Sequence, residues 1–250
     1  MNTPVILSLE TATMGGSVWL GTGTQQLATR IGDPRVSQSA TLLGDISSCL
    51  EAAGVELGAV DLFVCASGPG SFTGLRIGIA TLKALATSLS KPCIGIPTLH
   101  AVAHSGDVSG ATVALLPAGR GEVFAQMLSV SDAGTVAELD SAAHLSPPAL
   151  IARYARFRNL RWAGNGAHLQ RDLLERHARE HGMYFSADSI GRNSGSDPNG
   201  VWELAAPEPN LAQHVAALAL QRFHAGALQS PQSLSAIYVR PSDAEMNQKC

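Results

Sequence analysis

The sequence predicts an α/β protein of two related lobes, each a mixed β-sheet flanked by helices. Three observations lead there. The chain opens with short apolar runs joined by glycine turns, strand-like and helix-like segments then alternate, and the same order returns loosely in the second half. A meander pairs antiparallel, whereas strands separated by helices pair parallel, so each lobe combines both kinds.

Val5–Ala12 (VILSLETA) reads as a buried strand. Gly15–Gly21 and Gln25–Ile31 follow glycine turns and complete a meander. Leu42, Leu43, Ile46, Cys49, Leu50 and Ala53 then recur at helical spacing, and Gly54 supplies a stop. Val60–Ala66 is a short apolar strand, followed by a glycine-rich loop and a helix reaching about Leu89. Cys93–Pro97 is a further strand, and TLHAVAHS begins a helix. In the second half, Ala111–Ala118, Gly121–Val130 and Gly134–Asp140 form another meander. A helix in SPPALIARYARF has prolines near its start, where a missing N–H costs least. Leu160–Ala167 reads as a strand, HLQRDLLERHAREHG as one helix, Asn210–Gly226 as a last helix and Leu234–Arg240 as a last strand. The expected division is a first lobe over 1–107 and a second over 108–250. The polar, glycine-rich stretch near 187–207 is expected to be a flexible insertion.

Bulk composition narrows the function. With a net charge of −3 and only three lysines, the chain lacks the cationic surplus needed to hold nucleic acid alone. The four cysteines form no CxxC pair, and Cys49, Cys65 and Cys93 lie in apolar patterns, which reads as reduced core thiols. The first residues lack a basic leader, and no apolar run is long enough to span a bilayer. The expected setting is the cytoplasm.

The stretch ASGPGSFTGLRIG (Ala66–Gly78) has the outline of a phosphate-cradling loop at a helix start, where free N–H groups favour anions. Its spacing fits neither GxxxxGK[ST] nor GxGxxG, and Pro69 removes a donor. Two readings stand side by side. In one, Glu10, Thr11, Gly68, Gly70, Ser71 and Thr73 touch an anion or nucleotide. In the other, Ser71 caps the helix and the glycines permit close packing, while Glu10 caps turn N–H groups at its strand end. Gly74 and Gly78 share one helix face with Thr81 and offer a small-residue surface.

Metal and nucleophile signals are weak. His100 and His104 lie four apart on a helix, as do His177 and His181, but neither pair has HExxH or further ligands in pattern. A solvated helix face accounts for His177 and His181. No GxSxG elbow occurs. The arginines from 153 to 179 read as a solvated face with i,i+4 partners such as Asp172–Arg176, with a minor RNA contact within an assembled complex as the alternative reading. The sequence therefore assigns no catalytic residue, no metal ligand and no cofactor of the chain's own.

The Gly68–Gly78 stretch, together with ILSLETATMGGSVWLG upstream, resembles the TsaB (YeaZ) family. Weaker echoes are GEVFAQML at Gly121–Leu128, AGNGA at Ala163–Ala167 and the closing AIYVRP. The resemblance implies two lobes of the actin/Hsp70/sugar-kinase (ribonuclease H-like) type. It implies the dimerization subunit of the bacterial complex that installs threonylcarbamoyl on the adenosine beside the anticodon of tRNA. The partner so implied is a catalytic paralogue, TsaD, that carries the metal and the transfer chemistry; an ATPase, TsaE, completes the complex. The resemblance also implies a homodimer when the partner is lacking, tRNA met only through the complex, and ATP or ADP, if bound, at the complex interface. The helices at Gln38–Ala53 and Phe72–Leu89 would form the partner surface, with Leu42, Leu43, Ile46, Leu50, Gly74, Gly78 and Thr81 as its residues. The sequence departs from the family pattern at Gln38, Ala40 and Thr41, at Pro117 in place of an aspartate, and at Asn165 within Gly164-Asn165-Gly166. The competing expectation is a free-standing ATP-dependent transferase or metal peptidase of the same fold.

Overall fold

The computed structural model describes residues 3–187 and 199–239. The chain divides into two compact units, Met1–Ala101 with Pro209–Cys250, and Val102–Glu208.

In the first unit, β1 (Val5–Glu10), β2 (Ser17–Thr22) and β3 (Gln25–Ile31) form the expected meander. α1 (Gln38–Ala53) follows, then β4 (Leu62–Gly68), α2 (Phe72–Ser88) and β5 (Cys93–Pro97); α3 (Thr98–Ser105) begins in this unit and ends in the second. The sheet order is β3-β2-β1-β4-β5, antiparallel within the meander and parallel from β1 onward. β1 and β4 are buried along nearly their whole length because both sheet faces are covered. Leu42, Ile46 and Cys49 of α1 and Ile79, Leu82 and Ala86 of α2 share one core with Leu7, Leu9, Val18, Leu20 and Phe63 of the sheet. α1 ends as its sequence predicts, with Gly54 left-handed (φ 62°) and its N–H returned to the last turn.

The second unit holds β6 (Ser109–Gly119), β7 (Glu122–Val130), β8 (Val136–Glu138), β9 (Ala143–Leu145), α4 (Pro147–Tyr154), β10 (Leu160–Ala163), α5 (Asn165–Leu169), α6 (Arg171–Glu180), β11 (Tyr184–Ser186) and β12 (Val201–Leu204). Its sheet runs β11-β12-β10-β6-β7-β8, with β9 also paired to β7. Asp140 is a hub beside β7. Its carboxylate accepts the Met127 N–H (2.7 Å), the Tyr154 hydroxyl (2.9 Å) and the Arg153 guanidinium (2.8 Å). Trp162 and Trp202 pack edge to face at 4.8 Å in the core.

The last helix, α7 (Leu211–His224), corrects the expected division. The sequence reading placed residues 209–250 in the second lobe, but α7 packs across β1 and β4 of the first sheet. Two buried serines secure it there. Ser8 donates to the Ala212 carbonyl (2.8 Å), and Ser17 accepts the Ala212 N–H (3.0 Å), an orphan donor of the helix start. Chain order alone does not show that a helix returns to an earlier sheet.

Four further expectations change. The strand expected at Leu234–Arg240 is not a strand over its described part: the backbone is tied at isolated points, by Gln229 to Cys93 and by the Ile237 N–H to the Ser67 carbonyl (2.7 Å), while Leu234 fills the core. β10 stops at Ala163, and the helix expected over His168–Gly182 is two, α5 and α6, broken at Gln170. Within the stretch expected to be a flexible insertion, Val201–Leu204 is a strand that pairs parallel with both β10 and β11. Residues 188–198 of that stretch lie outside the described residues. Four residues with one tryptophan are too short for their alternation to stand out among polar neighbours.

Candidate functional site

β1 ends at Glu10, whose carboxyl turns back into its own chain. One oxygen accepts the N–H groups of Ala12 (2.5 Å) and Thr13 (2.8 Å); the other accepts the Thr13 hydroxyl (2.6 Å). Burial pushes the Glu10 carboxyl above the usual carboxylate range, and the Thr13 hydroxyl and the two N–H groups act against that. The turn-capping role expected for Glu10 is the one the structure shows.

The Gly68–Gly78 loop closes over this turn. The Ser71 N–H donates to the Ala12 carbonyl (2.7 Å), and the Ser71 hydroxyl caps α2 by accepting the Gly74 N–H (3.2 Å). The Gly68 N–H donates to Thr98 Oγ1 (3.1 Å). Gly74 lies directly against the Thr11 carbonyl, and Gly78 against the Thr11 hydroxyl; a β-carbon at Gly74 would overlap backbone. Gln38, at the start of α1, donates through Nε2 to the Thr13 carbonyl (2.9 Å) and borders Gly74. The glycines thus serve close approach within the chain. Thr11 and Gly68 are buried with Glu10, Gly70 is half-buried against Ala12, and Ser71 and Thr73 remain exposed at the helix start.

Beside this knot, a small surface notch is bordered by Gly15, Gly16, Arg30, Gln38, Thr41 and Asp45. Among the described residues no group of three or more His, Cys, Asp or Glu side chains could hold a metal. On the other flank of α2, Arg76 lies 3.8 Å over the Phe72 ring, which packs at 5.4 Å against Tyr238. Phe72 and Tyr238 are 166 residues apart in sequence, so no local pattern could have joined them.

The expected partner surface is divided. Leu42 and Ile46 lie in the core, Leu50 packs against it, and Gly74 and Gly78 are covered by Thr11. These residues are the inner stripe of an amphipathic helix and a packed helix start, not a free docking face. Leu43 is 67% exposed, and Thr81 is half-buried. The outer faces of α1 and α2 present Leu43, Ser47, Ala80 and Ala84 to solvent.

In the second unit, His177 is not on a solvated face as expected. It is 9% exposed, stacks on Trp202 at 5.1 Å and lies 4.0 Å from the His181 ring. Its Nε2 is buried without a partner among the described residues. Burial, aided by His181, pushes its pKa down. The expected Asp172–Arg176 pair gives way to Arg179–Glu175 (2.9 Å). Arg153 and Arg161 are paired with Asp140 and Glu203. Pro117 and Asn165 are exposed. Cys49, Cys65 and Cys93 are free and buried, and burial raises the Cys49 thiol to about 11. Among the described residues, no helix is long and apolar enough to cross a membrane.

These features define a class: two mixed sheets flanked by helices, with a strand-end acid and a glycine-rich helix start locked together in the first unit. YeaZ from Pseudomonas aeruginosa has this fold, with a TM-score of 0.72 and 26% identity over 94% of this chain and 99% of that one. Residues 37–162 match the family model described as TsaD: tRNA N6-adenosine threonylcarbamoyltransferase. The chain belongs to that family, and within it to the TsaB/YeaZ members. It is 35% identical to the tRNA threonylcarbamoyladenosine biosynthesis protein TsaB of Escherichia coli over 48% of this chain and 52% of that protein. It is 40% identical to the protein of that name from Bacillus subtilis over 24% of this chain and 27% of that one. The match thus spans about half the length of the first relative and about a quarter of the second.

Proposed function

We propose that this chain acts in tRNA threonylcarbamoyladenosine biosynthesis as a non-catalytic partner subunit, pairing with a catalytic TsaD-type subunit. The observation that carries the reading is the self-filled loop. The groups that would make it a catalytic clamp are already committed: Glu10 to its own turn, Gly74 and Gly78 to Thr11, and the Ser71 N–H to Ala12. A free-standing transferase would need such a carboxylate turned toward substrate and metal. What faces outward is the Leu43 side of α1 with the small residues of α2. Exposed large apolar side chains beside small ones suit a helix-on-helix interface. A second copy would use the same faces when the partner is lacking. TsaE would join the assembled pair, and ATP or ADP would bind at the assembled interface, near the exposed Ser71 and Thr73.

The test is to mix the purified chain with its cognate TsaD and follow the complex by gel filtration. The wild type is expected to co-elute, whereas Leu43→Asp weakens binding by at least about tenfold, the loss of one well-packed contact. Calorimetry with ATP is expected to give heat with the pair and none with this chain alone. Failure of the wild type to bind TsaD sinks the reading.

A further inference from the structure

We propose that Arg120, at the tip of the β6–β7 hairpin, and Arg171, at the start of α6, form a two-guanidinium site for the phosphodiester backbone of RNA. The inference rests on the preceding reading, in which the chain works on tRNA within a complex, and it names the surface that meets the RNA.

The turn geometry raises the question first. Gly119 pairs with Glu122, so Arg120 and Gly121 form a two-residue hairpin turn. Both are left-handed, with φ of 54° and 79°. A turn of this kind selects Asn-Gly. An arginine there costs on the order of 1 kcal/mol relative to asparagine or glycine, so the turn itself gives no reason for a guanidinium.

The tip is also held in place. Gln170 is 8% exposed, and its Nε2 donates to the Gly121 carbonyl at 2.8 Å. This bond ties the hairpin tip, which carries Arg120, to the α5–α6 junction, whose next residue is Arg171; both arginines are exposed. Gly119 and Gly121 meet nothing within 4 Å in the direction of a side chain, so the approach is open.

The charges there are uncommitted. Arg153, Arg161 and Arg179 have acidic partners at 2.8–3.0 Å, whereas neither Arg120 nor Arg171 forms an ion pair among the described residues. Of the nearby acids, Glu122 is engaged by His144 at 2.8 Å, Glu175, one turn along α6 from Arg171, is held by Arg179 at 2.9 Å, and Asp172 lies about 100° further round the helix. Guanidinium forks match phosphate oxygens two bonds at a time. With the glycines on either side facing open space, the site suits a long polyanion touched along its backbone. The chain's net charge of −3 makes this a local contact that adds to a grip supplied by the rest of the complex.

The test uses the assembled complex with unmodified tRNA transcript. The double variant Arg120→Asn with Arg171→Gln keeps a residue suited to the turn while removing both charges. It is expected to raise the KM for tRNA roughly tenfold with kcat unchanged, and to lower the slope of log affinity against log salt by about one per arginine removed. Arg120→Lys with Arg171→Lys restores the slope. Unchanged KM and slope, in a complex that assembles and transfers normally, overturn this inference and leave the partner-subunit reading standing. Displacement of tRNA by millimolar ATP from the wild-type complex alone would place a nucleotide at the site and overturn it as well. A wild-type chain that forms no complex overturns both.

Discussion

Two glycine-rich turns in this protein resemble each other in composition and differ in use. At Gly68–Gly78 the glycines are pressed against Thr11 and Ala12, so the space a side chain would take is already backbone. At Gly119–Gly121 the same residue type faces open space, and it serves only to permit left-handed backbone around an arginine. One turn is a packed joint of the first unit; the other is an exposed presenter of charge on the second. Glycine content alone does not separate a joint from a presenter; the neighbour that fills or leaves the space does.

The largest expected effect breaks the joint. Gly74→Val drives a branched side chain into the Thr11 carbonyl, and the variant is expected to lose more than about 3 kcal/mol in urea unfolding, or to fail to fold. Wild-type stability in this variant would mean that the joint is loose. Glu10→Ala leaves two turn N–H groups and the Thr13 hydroxyl without their acceptor, and about 2–4 kcal/mol is expected to be lost in the same assay. Leu42→Ala opens a core cavity and is expected to cost about 2–4 kcal/mol, whereas Leu43→Ala stays within about 0.5 kcal/mol. Equal losses from the two leucines would show that α1 does not bury the stripe described above.

The second unit has its own sensitivity, to pH. The folded pKa of His177 lies below the ordinary histidine value, so the unfolded chain takes up the proton first. This contribution is fully present at neutral pH and is lost as the pH falls below about 6.5. His177→Phe keeps the stacking on Trp202 and is expected to flatten the fall in Tm between pH 7 and pH 5.5, as read by scanning calorimetry. An unaltered pH profile would show that His177 is not the group responsible. A small effect of opposite sign is expected at the presenter, where Arg120→Asn relieves the left-handed strain and changes stability by no more than about 1 kcal/mol, in the stabilising direction. A marked loss would mean that Arg120 supports the fold.

The sequence by itself determined the fold class and most local elements of the first unit. The meander, the apolar stripe of α1, the Gly54 stop, the Ser71 cap and the turn-capping carboxylate of Glu10 all follow from residues within a few positions of one another. Period and capping are local physics, so they are legible without a structure. The tertiary structure decided which of these features face inward and which elements meet. Leu42 and Leu43 are adjacent in the same pattern, yet one is core and the other surface, because the sheet covers only one side of α1. His177 reads as a solvated residue of a polar helix until Trp202, across a long polar stretch, packs against it. Gln170 ties the hairpin tip that carries Arg120 to the junction that carries Arg171, and α7 packs on β1, where Ser8 and Ser17 meet its first turn and its apolar side chains are buried. Apart from the two leucines, the partners are far apart along the chain, and burial is a property of what a residue is packed against, which the order of residues does not by itself specify.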